Sequence, residues 1–357
     1  MPNSISRRAF GLGSLALASS TILPAIAAAQ QPAAQQPAPR QPAQPKKRLL
    51  IPGTGLRIAK TGDDFEDTKF EYYPQHPKSS WNLNKDMNEP GSYSSNNLWS
   101  EGGKRGTPDV VKRIATPPGG IEGSKGSMMI QSLHPGVPGR PSGEEQQDDL
   151  LHNVEGVTGT QIPVAWSPNV VCRVYIPAEA QWEKRNGATF GYRIGLYGYT
   201  PQGKYDEYWP GIFFHMQREQ GADGKIKPSI LSVLRADEFG RDLPGPTFQP
   251  SSWCTLGMSM PPDGSVQFYG KPGIEDLTEK DFLGGWHCYS WRGVNFTTFF
   301  YNVINMDNGR TWGTPWTIDN AYLYVATAPR QNIKTPQRTA AKPKDPEPLT
   351  PPTPPKE

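Results

Sequence analysis

An all-β chain, folded as a two-sheet antiparallel sandwich between unstructured ends, is what this sequence predicts. Three observations carry that expectation. Apolar residues recur with a period of two in almost every apolar segment. Glycine and proline, 37 and 39 of 357 residues, cut those segments into short runs. Helical periodicity is nearly absent, with Ile274 to Phe282 expected as a short helix and Thr107 to Ile114 as a helical turn or two.

The chain opens on Ser6-Arg7-Arg8-Ala9-Phe10 and a soft apolar run to Ala29 that contains two A-x-A sites, Ala25-Ile26-Ala27 and Ala27-Ala28-Ala29. Arg7, Arg8 and Phe10 resemble the core of a twin-arginine export signal. That resemblance implies the twin-arginine translocase as a transient partner and a periplasmic or secreted protein without a transmembrane segment once the signal is removed. No cysteine follows the run to take a lipid anchor. Residues 30–50, rich in Pro, Gln and Ala, and residues 331–357, rich in Pro and Lys, cannot bury an apolar face and read as a disordered linker and tail. The net charge of +3 is concentrated in these ends, so residues 51–330 form a single net-acidic domain, which argues against a nucleic-acid partner.

Within 51–330 the strands follow in order. Val170, Cys172, Val174 and Ile176 share one face, with Arg173 and Tyr175 on the other. Phe190, Tyr192, Ile194 and Leu196 oppose Arg193 and Tyr197; Ile212, Phe214 and Met216 oppose Phe213, His215 and Gln217. Trp253 to Met260 and Ser265 to Tyr269 flank Pro-Pro-Asp-Gly, where Asp263-Gly264 supplies the positive φ of a tight hairpin. Cys254, Leu256, Met258, Met260, Val266 and Phe268 would then face inward. Phe296 to Ile304 and Ile318 to Val325 close the series. Cys172, Cys254 and Cys288 contain no C-x-x-C spacing and are expected as buried thiols, with a late Cys254–Cys288 bridge as the alternative.

The opening Asp63-Asp64-Phe65-Glu66-Asp67, the segment Gly123 to Ser132, the hairpin ending in Asp263-Gly264-Ser265-Val266-Gln267-Phe268-Tyr269 and the closing Ile318-Asp319-Asn320 resemble concanavalin A-like and laminin-G-like jelly rolls. The likeness spans about residues 60–328. It implies that the first and last strands pair, bringing Asp64, Glu66 and Asp319 to a seam where a structural Ca²⁺ could sit; no other cofactor is expected. The fold hosts lectins, lyases, hydrolases and structural modules, so it does not itself assign a function.

Arg173, Tyr175, Arg193, Tyr197, Tyr199, Trp209, His215 and Gln217 are the candidate ligand-binding residues. Flat rings stack on the apolar faces of sugars, and Arg, His and Gln bond hydroxyls or carboxylates. A non-catalytic carbohydrate-binding or surface-interaction module, with polysaccharide or envelope glycan as partner, is the leading expectation. The alternatives are a polysaccharide-degrading enzyme, lyase before hydrolase, with Arg193, Tyr197 and His215 as candidate catalytic groups, or a structural envelope protein. Glu144-Glu145 and Asp148-Asp149 read as a solvated loop, and Asp206-Glu207 is the acid pair placed for hydrolysis. Motifs for serine hydrolases, zincins and phosphate-binding loops are absent.

Overall fold

The computed structural model describes residues 49–85, 88–221 and 224–327. The expected signal with Arg7, Arg8 and Phe10, most of the linker, and the tail lie outside these described residues. Leu50, placed by sequence in the linker, donates its N–H to Gln267 at 2.8 Å and accepts from the Ser259 hydroxyl.

In chain order the strands are β1 (Leu56–Asp63), β2 (Tyr72–Tyr73), β3 (Tyr93–Ser94), β4 (Trp99–Glu101), β5 (Val110–Ala115), β6 (Gly126–Gln131), β7 (Glu145–His152), β8 (Ile162–Pro163), β9 (Pro168–Ile176) and β10 (Gly187–Tyr199). They continue with β11 (Tyr205–Tyr208), β12 (Gly211–Gln220), β13 (Ile226–Arg235), β14 (Leu243–Phe248), β15 (Ser252–Ser259), β16 (Val266–Pro272), β17 (Phe282–Trp286), β18 (Arg292–Met306) and β19 (Trp316–Val325). Two short helices, α1 (Trp81–Asn84) and α2 (Val154–Thr158), lie in the connections. None of the described helices is long and apolar enough to cross a membrane.

Two antiparallel sheets form the expected sandwich. One, sheet A, runs β17-β16-β15-β9-β19-β6-β5, with β1 also paired to β19. The other, sheet B, runs β14-β13-β12-β10-β18-β7-β4-β3-β2, with β11 on β10 and β8 on β18. The period-two pattern explains the core. Val170, Cys172, Val174 and Ile176 of β9 and Cys254, Leu256 and Met258 of β15 are fully buried in sheet A. They meet Phe190, Tyr192, Ile194 and Leu196 of β10 and Ile212 and Phe214 of β12 from sheet B within one apolar cluster. An aromatic column, Phe65–Trp99–Tyr301–Tyr192, continues it with ring centroids 5.4 to 5.9 Å apart. The β15–β16 hairpin has Met258 opposite Phe268 and Gly264 at φ +84.

Four local expectations are corrected. Thr107 to Ile114 is not helical: Val110–Ala115 is the edge strand β5, its β-branched valines and isoleucine favouring the pleat. Of Ile274 to Phe282, only Glu279–Asp281 forms a 3₁₀ turn, capped by Thr278, before β17 begins. Glu145 and Asp148-Asp149 belong to β7, an interior strand of sheet B, not to a solvated loop. Asp148 is tolerated there because Lys78 Nζ lies 2.9 Å from it and 2.9 Å from Asp109. Finally, β18 carries irregularities against β10, so that Phe296 and Phe299, three apart, are both fully buried.

Candidate functional site

The outer face of sheet B carries a groove, and the register of three strands builds its floor. Gly191 of β10, Asn302 of β18 and Asp149 of β7 stand in one row; Arg193, Phe300 and Leu151 stand in the next. A side chain at Gly211, opposite Arg193, would meet the Arg193 stem at 2.5 Å, so glycine there lets the arginine lie across its neighbour. Arg193 donates from Nε and Nη2 to the Trp209 carbonyl at 3.1 and 2.6 Å. Its guanidinium lies 5.3 Å from the Phe213 and Phe300 ring centres.

Two walls rise beside this floor. The turn after β4 supplies Lys104 and Arg105, and α1 is tied to it by the Asn82 N–H on the Lys104 carbonyl at 2.9 Å, which sets Trp81 at the rim. β11 supplies Glu207, and the segment between β11 and β12 supplies Trp209. Lys104 joins the walls: its ammonium is 2.7 Å from Glu207 and 4.0 Å above the Trp209 ring. The hollow between them has a volume of about 260 Å³. A second hollow of about 280 Å³ continues past Leu151, Thr298 and Glu207, which line both, to Tyr197, Asn153 and Glu155.

Charge in the first hollow is opposed by burial and held by opposite partners and hydrogen bonds. Burial pushes Arg193 down to about 10, while the Asp149 carboxylate supports its charge. Burial also raises Asp149; Arg193, Arg105 and the amides of Gln147 and Asn302, at 2.9 and 2.6 Å, oppose that rise. Three cations and two carboxylates thus line one open, aromatic-rimmed space. Such a space can bond hydroxyls and carboxylates while a ring stacks on its wall.

The sequence-predicted residues do not form one surface. Arg193 and Trp209 line the first hollow and Tyr197 the second. Tyr199 is exposed at the end of β10 against Tyr205. His215 and Gln217 share the face but lie along β12 past Phe213; burial lowers His215. Arg173 and Tyr175 are on sheet A, where Arg173 bonds the Ile274 carbonyl and pairs with Asp276, and Tyr175 packs on Trp253. Alternation tells which face of its own strand a residue occupies, not which sheet the strand joins, and β9 is bonded between β15 and β19. Nor do Arg193, Tyr197 and His215 converge: His215 stands opposite Ala188, nine residues from Tyr197 along β10. At the rise of an extended strand that separation is roughly 30 Å.

Trp81, Lys104, Arg105, Gln147, Asp149 and Phe300 were not singled out as site residues. Lys104 and Arg105 lie in a Gly-Gly-Lys-Arg-Gly run that reads as an ordinary turn. Asp149 was hidden because β7 is polar on both faces.

At the terminal seam, β1 pairs with β19 and places Asp63 opposite Ala321. Asp319 accepts from Ser124 at 2.8 Å and Ser127 at 3.3 Å, and Glu66 accepts from the backbone N–H groups of Lys125 and Gly126 at 2.7 and 3.2 Å. Asp64 accepts from the Glu66 N–H at 3.2 Å. The acids clamp the Ser124–Ser127 segment through protein donors. No group of three His, Cys, Asp or Glu that could hold a metal ion occurs among the described residues. Burial pushes Asp319 up to about 6.

No family model matches this chain, and no curated protein matches it. Solved structures similar to it include an endo-β-1,4-glucuronan lyase from the fungus Trichoderma reesei, at 10% identity over 72% of this chain and 95% of that one, TM-score 0.34. The VIP36 exoplasmic/lumenal domain, solved with Ca²⁺ and Man3GlcNAc, aligns at 9% identity over 66% and 87%, TM-score 0.30. The binding domain of Paraclostridial Mosquitocidal Protein 1 aligns at 7% identity over 67% of this chain, TM-score 0.31; the chain spans only 47% of that protein's length. Likenesses this distant bear on neither ligand nor reaction.

Proposed function

We propose that this protein is an exported carbohydrate-binding module that holds a carboxylate-bearing glycan in the groove on sheet B. One observation carries the reading: Arg193, Arg105 and Lys104 converge in an open hollow walled by Trp81 and Trp209. Arginine's fork matches a sugar carboxylate, and the rings offer flat apolar area to a pyranose face. The reading takes the module as non-catalytic; in its support, the candidate catalytic groups Arg193, Tyr197 and His215 lie apart along their strands.

A screen of the mature protein against uronate and neutral polysaccharides tests this, with ultraviolet detection of unsaturated uronate products run in parallel. Binding of a uronate polymer without product is expected. Trp209→Ala or Arg105→Ala should weaken it by about 2 kcal/mol, roughly thirtyfold in Kd. Glycan-independent behaviour of the wild type, or full affinity in both variants, would sink the reading; release of unsaturated product would transfer it to the lyases. Export belongs to the same proposal. Replacing Arg7 and Arg8 by lysine should leave precursor in the cytoplasm, and normal export of that variant would contradict it.

A further inference from the structure

The ten tryptophans of this chain are not equally placed. Only Trp81, 47% exposed, and Trp312, 43% exposed, stand open to solvent, and each lies at the lip of a hollow. An exposed ring at the lip of a hollow offers flat apolar area that a ligand in that hollow can cover. Trp81 belongs to the central hollow already described. Trp312 belongs to a third hollow, of about 460 Å³, with Arg185, Lys184, Glu183 and Met306.

The third hollow shares no lining residue with the groove but adjoins the end of the strand that floors it. Arg185 donates to Glu145 at 2.6 Å, and Glu145 stands opposite Met306 across β7 and β18. Glu145, Gln147, Asp149 and Leu151 alternate onto one face of β7, and Gln147 already lines the central hollow. β7 therefore lines the first two hollows through Gln147, Asp149, Leu151 and His152, and its first residue, Glu145, bonds Arg185 of the third. Asn153, in the Tyr197 site, follows directly after the strand. Eight residues of extended chain span about 26 Å, several sugar units and far more than one.

Trp312 is also held in place. Asn308 accepts from the Arg310 and Thr311 N–H groups, both at 2.8 Å; Asn305 bonds the Thr311 carbonyl at 3.1 Å, and the Gly313 N–H bonds Ser132 at 2.8 Å. The turn is tied on both sides of the tryptophan, so ordering it costs a ligand little.

Resting on the glycan reading above, we infer that the Trp312 hollow is a distal subsite of the same track, and that the ligand is a polysaccharide bound along several consecutive units. A single sugar or a short terminal branch would occupy one hollow and leave the others empty. A polymer gains from each filled subsite without further loss of translational freedom, so its affinity rises with length until the track is full.

Titration of the mature protein with oligogalacturonides and oligomannuronates, from disaccharide to octasaccharide, tests this. Cello-oligosaccharides of matching length serve as the neutral series. Affinity should climb steeply between the shortest and longest uronates. Trp312→Ala should lower octasaccharide affinity roughly tenfold, the scale of one lost aromatic anchor, and leave disaccharide binding unchanged. Trp81→Ala should weaken both. Retained disaccharide binding shows that the Trp312 variant is folded. Octasaccharide binding no tighter than disaccharide binding, or indifferent to Trp312→Ala, would overturn the distal subsite while leaving the central one standing. Absence of binding at every length, in the charged and neutral series alike, would overturn both.

Discussion

Asp319 is a carboxyl whose position at the closing seam was legible and whose protein partners were not. Its place at the closing seam follows from the Ile-Asp-Asn motif, and β1 does pair with β19. Its partners are two serine hydroxyls and the Asn320 N–H, in a buried setting that pushes it up to about 6. Because the folded value lies above the unfolded one, the native state binds the extra proton between roughly pH 4 and 6. Stability is therefore lost as pH rises through that window, and the full penalty is present above it. Asp319→Asn, which keeps an oxygen acceptor and removes the charge, should raise the thermal midpoint at neutral pH. That gain should fade toward pH 4. A midpoint lowered equally at both ends would show that the carboxylate itself holds the seam. A midpoint raised by added Ca²⁺ in wild type, and not in the variant, would assign a cation to the seam.

Elements with one apolar face were legible, and elements polar on both faces were not. The β15–β16 hairpin could be placed residue by residue, because Cys254, Leu256, Met258, Val266 and Phe268 alternate around an Asp-Gly turn. Gly264 is the residue on which that turn depends. It sits at φ +84, and a Cβ there would come within 2.7 Å of the Gly293 carbonyl oxygen. Gly264→Ala should cost about 2–3 kcal/mol in urea denaturation, against about 1 kcal/mol for Gly139→Ser, which carries the strain of φ +70 but whose Cβ position is open. Equal effects would mean that the turn is not under steric constraint. The strand β7 was illegible for the opposite reason. Asp148 points inward and is neutralised by Lys78, seventy residues earlier, a partner no local pattern announces. With β7 unread, the groove floor it supplies was unread too. Arg193 is legible because β10 has a clear inward row, and Trp209 because it lies in an aromatic-rich connection; Arg173 does not belong with them because strand alternation carries no information on sheet membership.

At the scale of the whole sandwich, sequence order and sheet membership are interleaved. The chain passes to sheet B after β1, returns for β5 and β6, and later crosses at β9, β15 and β19. Most stabilising contacts therefore join residues far apart in sequence, a topology that folds slowly and as a unit. The last strand, β19, is the extreme case, since it pairs with β1, β6 and β9 at once. Deleting residues 316–327 should abolish cooperative unfolding rather than trim an edge, as followed by circular dichroism during thermal denaturation. A truncated protein that still melts in one sharp transition would show that sheet A closes without it.

The three cysteines, read earlier only as core filler, have a consequence for passage between compartments. Cys172, Cys254 and Cys288 are thiols, all buried, and burial pushes Cys172 up to about 12 and Cys254 well above the ordinary thiol value. A thiol that cannot ionise and cannot be reached neither attacks a disulfide nor yields to an oxidant. The fold is therefore complete without any oxidative step. A chain finished in a reducing cell interior and then moved to an oxidising exterior would meet the change of redox potential with nothing to rearrange.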